Sequence, residues 1–268
     1  MQENFFDCCY RIIMCQDIAQ KNAETKKLYH QLTSHQISIE DSLNPVYSIP
    51  IAGRPVKPEL VHPLDVPKRK MGSKEGHAGL LHALAHIEFN AINLALDACY
   101  RFQNMPHEFY HNWLQVAFEE VYHFELLNEH LAMIGYAYGD FSAHNGLWEM
   151  ALKTEHDVLA RMALVPRTLE ARGVDAVPEM QEKLRTINDT RAIEILDQIH
   201  HDEIKHVAFG DKWFKYECSK RKIDAEETFF DLFKTYNAPK IRGAFNRIDR
   251  KKAGFSDNEL ERLYNLSY

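Results

Sequence analysis

The chain has 268 residues, 45% of them hydrophobic and 26% charged, with a formal net charge of −7. That suits one large soluble domain or two small ones, and the acidic balance weighs against non-specific nucleic-acid binding, which needs a basic surface. Five cysteines without a C-x-x-C pair point to a reducing compartment rather than a disulfide framework or a zinc site.

The first residues, Met1-Gln-Glu-Asn-Phe-Phe-Asp, are acidic where a signal peptide would be basic, and no run approaches the roughly 18 apolar residues of a membrane span. A cytoplasmic protein without a membrane partner is therefore expected. Residues 4 to about 31 contain neither Pro nor Gly and predict one helix, with Phe5, Cys9, Ile12, Ile13 and Ile18 on its apolar side. From Ser38 to Met71, six prolines and Gly53 forbid a long helix and predict an extended arm along the domain surface.

Four core helices follow. The first starts after Ser73, a good N-cap, with an apolar face of Leu81, Leu84, Ala85, Ala91, Ile92 and Ala95 and with Glu88 in the middle of that stripe. A second runs from about Pro106 to Tyr136, and glycines at 135, 139 and 146 mark the loop after it. A helical turn or two is expected over Leu147–Glu155. The third core helix starts at Val158 behind Asp157, is kinked by Pro166 and stops at Gly173. A short helix from Pro178 to Ile187 leads into the fourth, which is capped by Asn188 or Asp189 and ends near Lys220. Two further helical patterns, Ala225–Tyr236 and Ser256–Asn265, close the chain, the latter opened by the capping box Ser256-Asp-Asn-Glu259. This predicts an all-α fold in three parts: residues 1–72, a four-helix bundle over 73–220, and an extension over 221–268.

The chemistry is concentrated in the bundle. Glu120/His123 and Glu203/His206 are Glu-x-x-His pairs, a spacing that puts carboxylate and imidazole on one helix face. Two such pairs, plus one Glu from each of two more helices, make the dinuclear carboxylate site of ferritin-like bundles. The motif itself is weak, because 23 Glu and 15 His predict about one chance occurrence. Two more pairs occur: Glu59/His62 between prolines, and Glu108/His111 in the first turn of its helix. Only Glu120/His123 and Glu203/His206 are central in long amphipathic segments.

Depth supplies the other two carboxylates. With helix starts at 74, 106, 158 and 189, Glu88, Glu120, Glu170 and Glu203 lie 14, 14, 12 and 14 residues in. At about 1.5 Å per residue, all four fall roughly 20 Å from their helix starts, in one layer of an antiparallel bundle. Glu155 competes with Glu170, having the more apolar surroundings, while the layer prefers Glu170. Buried without cations, four carboxylates would repel one another, and two divalent ions would remove that repulsion. Carboxylate and imidazole suit iron or manganese and not iron–sulfur.

His82, His86, His200 and His201 lie near these residues in sequence. His86 is about 200° around the helix from Glu88, a position for surface or arm contact. His200 is either a supporting residue or a satisfied core histidine, and Asp202 is a candidate for orienting a metal-bound histidine. Tyr110, Tyr122 and Tyr216 are electron-transfer candidates whose alternative is simple packing.

His86-Ile-Glu88, Glu120-Val-Tyr-His123, Arg161-Met-Ala-Leu-Val-Pro-Arg-Thr-Leu-Glu170-Ala-Arg-Gly173 and Asp202-Glu203-Ile-Lys-His206 together resemble a bacterial ferritin-like family of unknown function, over about residues 45–250. The Leu-Glu-Ala-Arg segment is also similar to the third helix of the di-iron hydroxylase that acts on 2-methylthio-isopentenyladenosine of tRNA. The resemblance implies Glu170 as the third-helix ligand, whereas Gly173 and Pro178 depart from the hydroxylase pattern. The expectation is a protein with two Fe ions, or Mn in their place, held by Glu88, Glu120, His123, Glu170, Glu203 and His206. It would oxidise a small-molecule or RNA-base substrate with O₂ or peroxide, with a reductase as electron donor. The alternatives are a metal-handling, ferroxidase-like protein without an organic substrate, and a non-enzymatic helical scaffold.

Overall fold

Ser73 accepts a hydrogen bond from the Gly76 amide at 3.0 Å and so opens a helix through Arg101 without a break. In the computed structural model, which describes residues 4–40, 45–240 and 243–267, this is the third helix. The described residues are otherwise helices and irregular segments, with no strand. The chain divides into two compact units, Met1–Leu152 and Lys153–Tyr268.

In the first unit the expected single N-terminal helix is two, α1 (Phe5–Met14) and α2 (Ile18–Thr33). The break comes from Asp17, which caps α2 through Gln20 N at 2.8 Å and so stops α1 from continuing. Breakers other than Pro and Gly are weak signals. The freed Ile13 carbonyl accepts from the buried Lys21 ammonium at 2.8 Å and from the Gly53 amide at 2.9 Å. α3 (Lys74–Arg101) and α4 (His107–Met133) follow, joined by a five-residue link that makes them antiparallel neighbours. The Tyr110 hydroxyl fixes this link, donating to Phe102 O at 2.9 Å and accepting from Met105 N at 3.0 Å. Tyr110 thus packs, with Phe5 and Phe6 edge-on against its ring.

The arm over residues 45–72 is extended, with one 3₁₀ turn at Pro63–Asp65. Trp148 Nε1 donates to Ile49 O at 3.0 Å, and residues 59–61 pair with Ala143 through two amide bonds of 2.8 and 2.9 Å. Trp148 belongs to α5 (Gly146–Lys153).

The second unit begins as expected: Asp157 accepts from Leu159 N at 3.0 Å and opens α6 (Val158–Leu164). Pro166 has no amide proton and its ring crowds the preceding turn. The result is not a simple kink but a π-helical segment, Val165–Glu170, in which Thr168 Oγ1 donates back to Ala163 O at 2.8 Å. Gly173 does not stop the helix, and no separate helix starts at Pro178. α7 (Ala171–Arg185) runs through both residues. A glycine at the third position and a proline at the eighth, in the helix interior, cost propensity, and packing against α8 offsets it. Asp189 accepts from Ala192 N at 2.9 Å and opens α8 (Thr190–Arg221), as predicted.

α9 (Ala225–Thr235), α10 (Arg247–Lys252) and α11 (Asp257–Ser267) complete the unit. The capping box forms as read, with Glu259 N to Ser256 Oγ at 3.0 Å and Ser256 N to Glu259 Oε2 at 2.8 Å. These helices hold the π-helical segment through Arg167, which is fully buried. Its guanidinium lies 4.3–4.6 Å from the ring centres of Phe214, Phe229 and Phe255. It meets Asp211 Oδ1 at 3.0 Å and Glu259 Oε1 at 2.5 Å. Burial raises the Asp211 pKa despite this cation, whereas the same cation holds Glu259 below its usual value against its own burial. The shorter contact marks Glu259 as the stronger partner. Opposite, Gly210 makes room for the ring: a Cβ there would fall 2.4 Å from Pro166 Cβ and Cγ.

Candidate metal centre

The first unit supplies one carboxylate-rich cluster. Glu88 projects from the middle of α3, and Glu120 and His123, one turn apart, project from the middle of α4. Each offers a donor atom within 4.8 Å of the others. His123 Nδ1 lies 3.3 Å from Glu120 Oε2 and 3.6 Å from Glu88 Oε2. All three are buried. Burial pushes the Glu88 carboxyl well above the usual carboxylate range, and the neighbouring Glu120 charge pushes it the same way, while His123 opposes both. Two carboxyl groups within hydrogen-bond reach therefore share a site that favours either a proton or a cation between them.

The second unit supplies a matching pair. Glu203 and His206 sit mid-way along α8, both buried, with His206 Nδ1 3.5 Å from Glu203 Oε1. A Cβ on Gly173 would lie 4.0 Å from Glu203 Oε2, so the first turn of α7 faces this carboxylate. Glu170, three residues earlier and half-buried at the end of the π-helical segment, shares that face. Gly173 therefore does not terminate the helix, and a side-chain Cβ there would meet Glu203 only at ordinary contact distance. Glu155 is half-buried in the turn between α5 and α6, outside any helix.

The peripheral residues sort differently. Glu59 and His62 are exposed or nearly so, and Glu108 is exposed in the first turn of α4. His200 Nε2 pairs with Asp249 on α10 at 3.0 Å, and His201 is exposed. Asp202 accepts from Gln198 at 2.7 Å on its own helix. Tyr122 and Tyr216 are partly exposed. His86, read from its angle as a surface or arm residue, is buried, with Nδ1 2.8 Å from the Tyr138 hydroxyl and Nε2 3.1 Å from His144 O. The buried polar residues Lys21, Asn90 and Asn93 escaped sequence reasoning. The spacing of His86, Asn90, Asn93 and Asp97 is itself helical, and a second polar stripe on an otherwise apolar helix was the available signal.

The donors fit a metal. They are carboxylate oxygens and imidazole nitrogens without a thiolate, the set preferred by iron and manganese, and the Glu88 and Glu120 carboxyl groups are buried side by side, where both cannot readily be ionised without a cation. No helix among the described residues is long and apolar enough to cross a membrane.

Comparison with known proteins gives a family and no function. An uncharacterised protein of Haemophilus influenzae is 49% identical over 237 residues, covering 86% of this chain and 82% of its own length. No solved structure matches the chain. The family model described as "protein of unknown function (DUF455)" matches residues 14–261, so the chain belongs to the DUF455 family.

Proposed function

We propose that this is a dinuclear metal–carboxylate protein, iron preferred over manganese, with a ferritin-like arrangement of α3, α4, the α6–α7 segment and α8. It would oxidise a bound substrate using O₂ or peroxide. The observation that carries this reading is the burial of Glu88, Glu120 and His123 within 4.8 Å of one another, with an equivalent Glu203/His206 pair in the other unit. Six residues would share one pair of ions: Glu88 and Glu170 from helices without a motif histidine, Glu120/His123 and Glu203/His206 from the other two.

When bound, the metal pair would supply two-electron reduction of O₂ or peroxide, with the electrons replenished by a reductase. The chain's own residues do the rest. Glu88 and Glu120 would hold a cation in place of the proton that burial favours on Glu88, so metal uptake would release that proton to solvent. His123 and His206 would present imidazole nitrogens from fixed helix faces.

Anaerobic titration with Fe(II) is expected to show about two ions per chain. Glu203→Ala and His206→Ala should abolish dinuclear binding, while Glu108→Ala and His111→Ala keep it. Glu170→Ala should lose one or both ions and Glu155→Ala none. Folded protein that takes up no metal would end the proposal.

A further inference from the structure

α3 has a second polar face. His86, Asn90 and Asn93 lie roughly 140–200° around the helix from Glu88. The arm roofs this face and is anchored there. Gly53 N donates to Ile13 O at 2.9 Å, so close that a Cβ on Gly53 would fall 2.3 Å from the Met14 backbone. Trp148 holds Ile49, and Ala143 holds residues 59–61. Between roof and helix lies a cavity of about 180 Å³. At about 30 Å³ per water in the liquid, it has room for roughly six waters, or for an organic molecule well below drug size.

Its lining has one sign of charge. Arg54 reaches it from the arm, and no Asp or Glu is among the residues that line it. Arg54 donates to Pro55 O at 3.1 Å and Pro58 O at 2.9 Å, both through Nη1, so the Nε–Nη2 edge of the fork takes no part in holding the arm. That edge matches a carboxylate in a two-bond geometry. His86 is tied down on this face, with Nδ1 2.8 Å from the Tyr138 hydroxyl and Nε2 3.1 Å from both His144 O and Asn90 Nδ2. Behind the lining, Lys21 donates to Asn93 Oδ1 at 2.5 Å, and burial lowers its pKa to about 7, so it is only partly charged at neutral pH. Phe89, Leu60 and Trp148 supply apolar wall.

We propose that this cavity binds a short-chain monocarboxylate, its carboxylate on Arg54 and its chain against Phe89, Leu60 and Trp148. The site is separate from the metal centre, and its occupancy does not depend on metal. The test is calorimetric titration of the full-length chain with butyrate, butanamide and inorganic phosphate at constant ionic strength. Butyrate should saturate one site per chain, with butanamide and phosphate at least about tenfold weaker. Arg54→Gln should weaken butyrate by about tenfold or more. Because Arg54 also braces the arm, Asn145→Asp serves as the second variant. It has the same shape, adds a negative charge to the lining, and should weaken butyrate similarly without changing the melting temperature. Absence of saturable binding up to about 10 mM, equal binding of butanamide, tighter binding of phosphate, or unchanged affinity in Asn145→Asp would each overturn the proposal.

Discussion

The two units present a Glu-x-x-His pair in opposite ways. In the first, the pair on α4 faces Glu88 on α3, and both helices run unbroken for 27 and 28 residues. Carboxylate placement there follows from regular helix geometry. In the second, the partner of α8 is assembled from α6, a π-helical segment and α7, and the turn that carries Glu170 is held by Arg167. A regular pair of helices holds its residues in register by itself, whereas an irregular one borrows its register from neighbours distant in sequence. The first unit should tolerate local change near its carboxylates, and the second should not.

The sharpest break in that comparison is Arg167→Ala. It strands Asp211 and Glu259 and empties the space among three rings, and losing one member of a buried ion pair costs about 3–5 kcal/mol. Hydrogen exchange should show the loss of protection in residues 153–267, with α3 and α4 unchanged. Equal loss in both units would show that the π-helical segment is not a local device. Next comes Gly210→Ala, whose new Cβ meets the Pro166 ring and should cost about 1–3 kcal/mol in chemical denaturation. Adding Pro166→Gly, which removes both clashing atoms, should recover part of it, because the two residues are coupled through contact.

Smaller, and opposite in sign, is Glu88→Gln in metal-free protein. It removes one of two like-charged buried carboxyls while keeping their shape, and should raise the melting temperature by an amount matching about 1 kcal/mol while eliminating metal uptake. A lowered melting temperature would mean that the pair is a stabilising polar network in its own right. The smallest effect is expected at His82, whose Nε2 accepts from the Gly139 amide at 2.9 Å. Burial lowers its pKa to about 4, below the unfolded value near 6.5. The unfolded chain therefore takes up the proton first, and this stability is full above about pH 6.5 and lost as pH falls towards 4. His82→Gln should flatten the stability profile across that window and leave neutral-pH stability within about 1 kcal/mol.

Local signals were the legible ones. The caps at Ser73, Asp157, Asp189 and Ser256 act over three residues, and each forms as the sequence indicates. Burial of Glu88, Glu120 and Glu203 followed from their places in apolar stripes. What the sequence hid depended on distant partners. Arg167 reads as a charge that spoils the stripe around Glu170, because the three rings that enclose it come from positions 214, 229 and 255. Gly173 reads as a helix stop because the packing of α7 on α8 that carries the helix through it comes from residues distant in sequence. The break at Asp17 was hidden by a different cause, a cap without a preceding proline or glycine.

The anchoring of the arm has a kinetic consequence. The α3–α4 hairpin joins residues near one another along the chain, so little loop entropy opposes its formation. The bond from Trp148 to Ile49 closes 99 residues, and its anchor at Ala143 exists only once the hairpin and the loop after it are in place. The arm should dock after the rate-limiting step of folding. Substitutions at Gly53 or Trp148 should then speed unfolding and leave the folding rate nearly unchanged, with φ-values near zero.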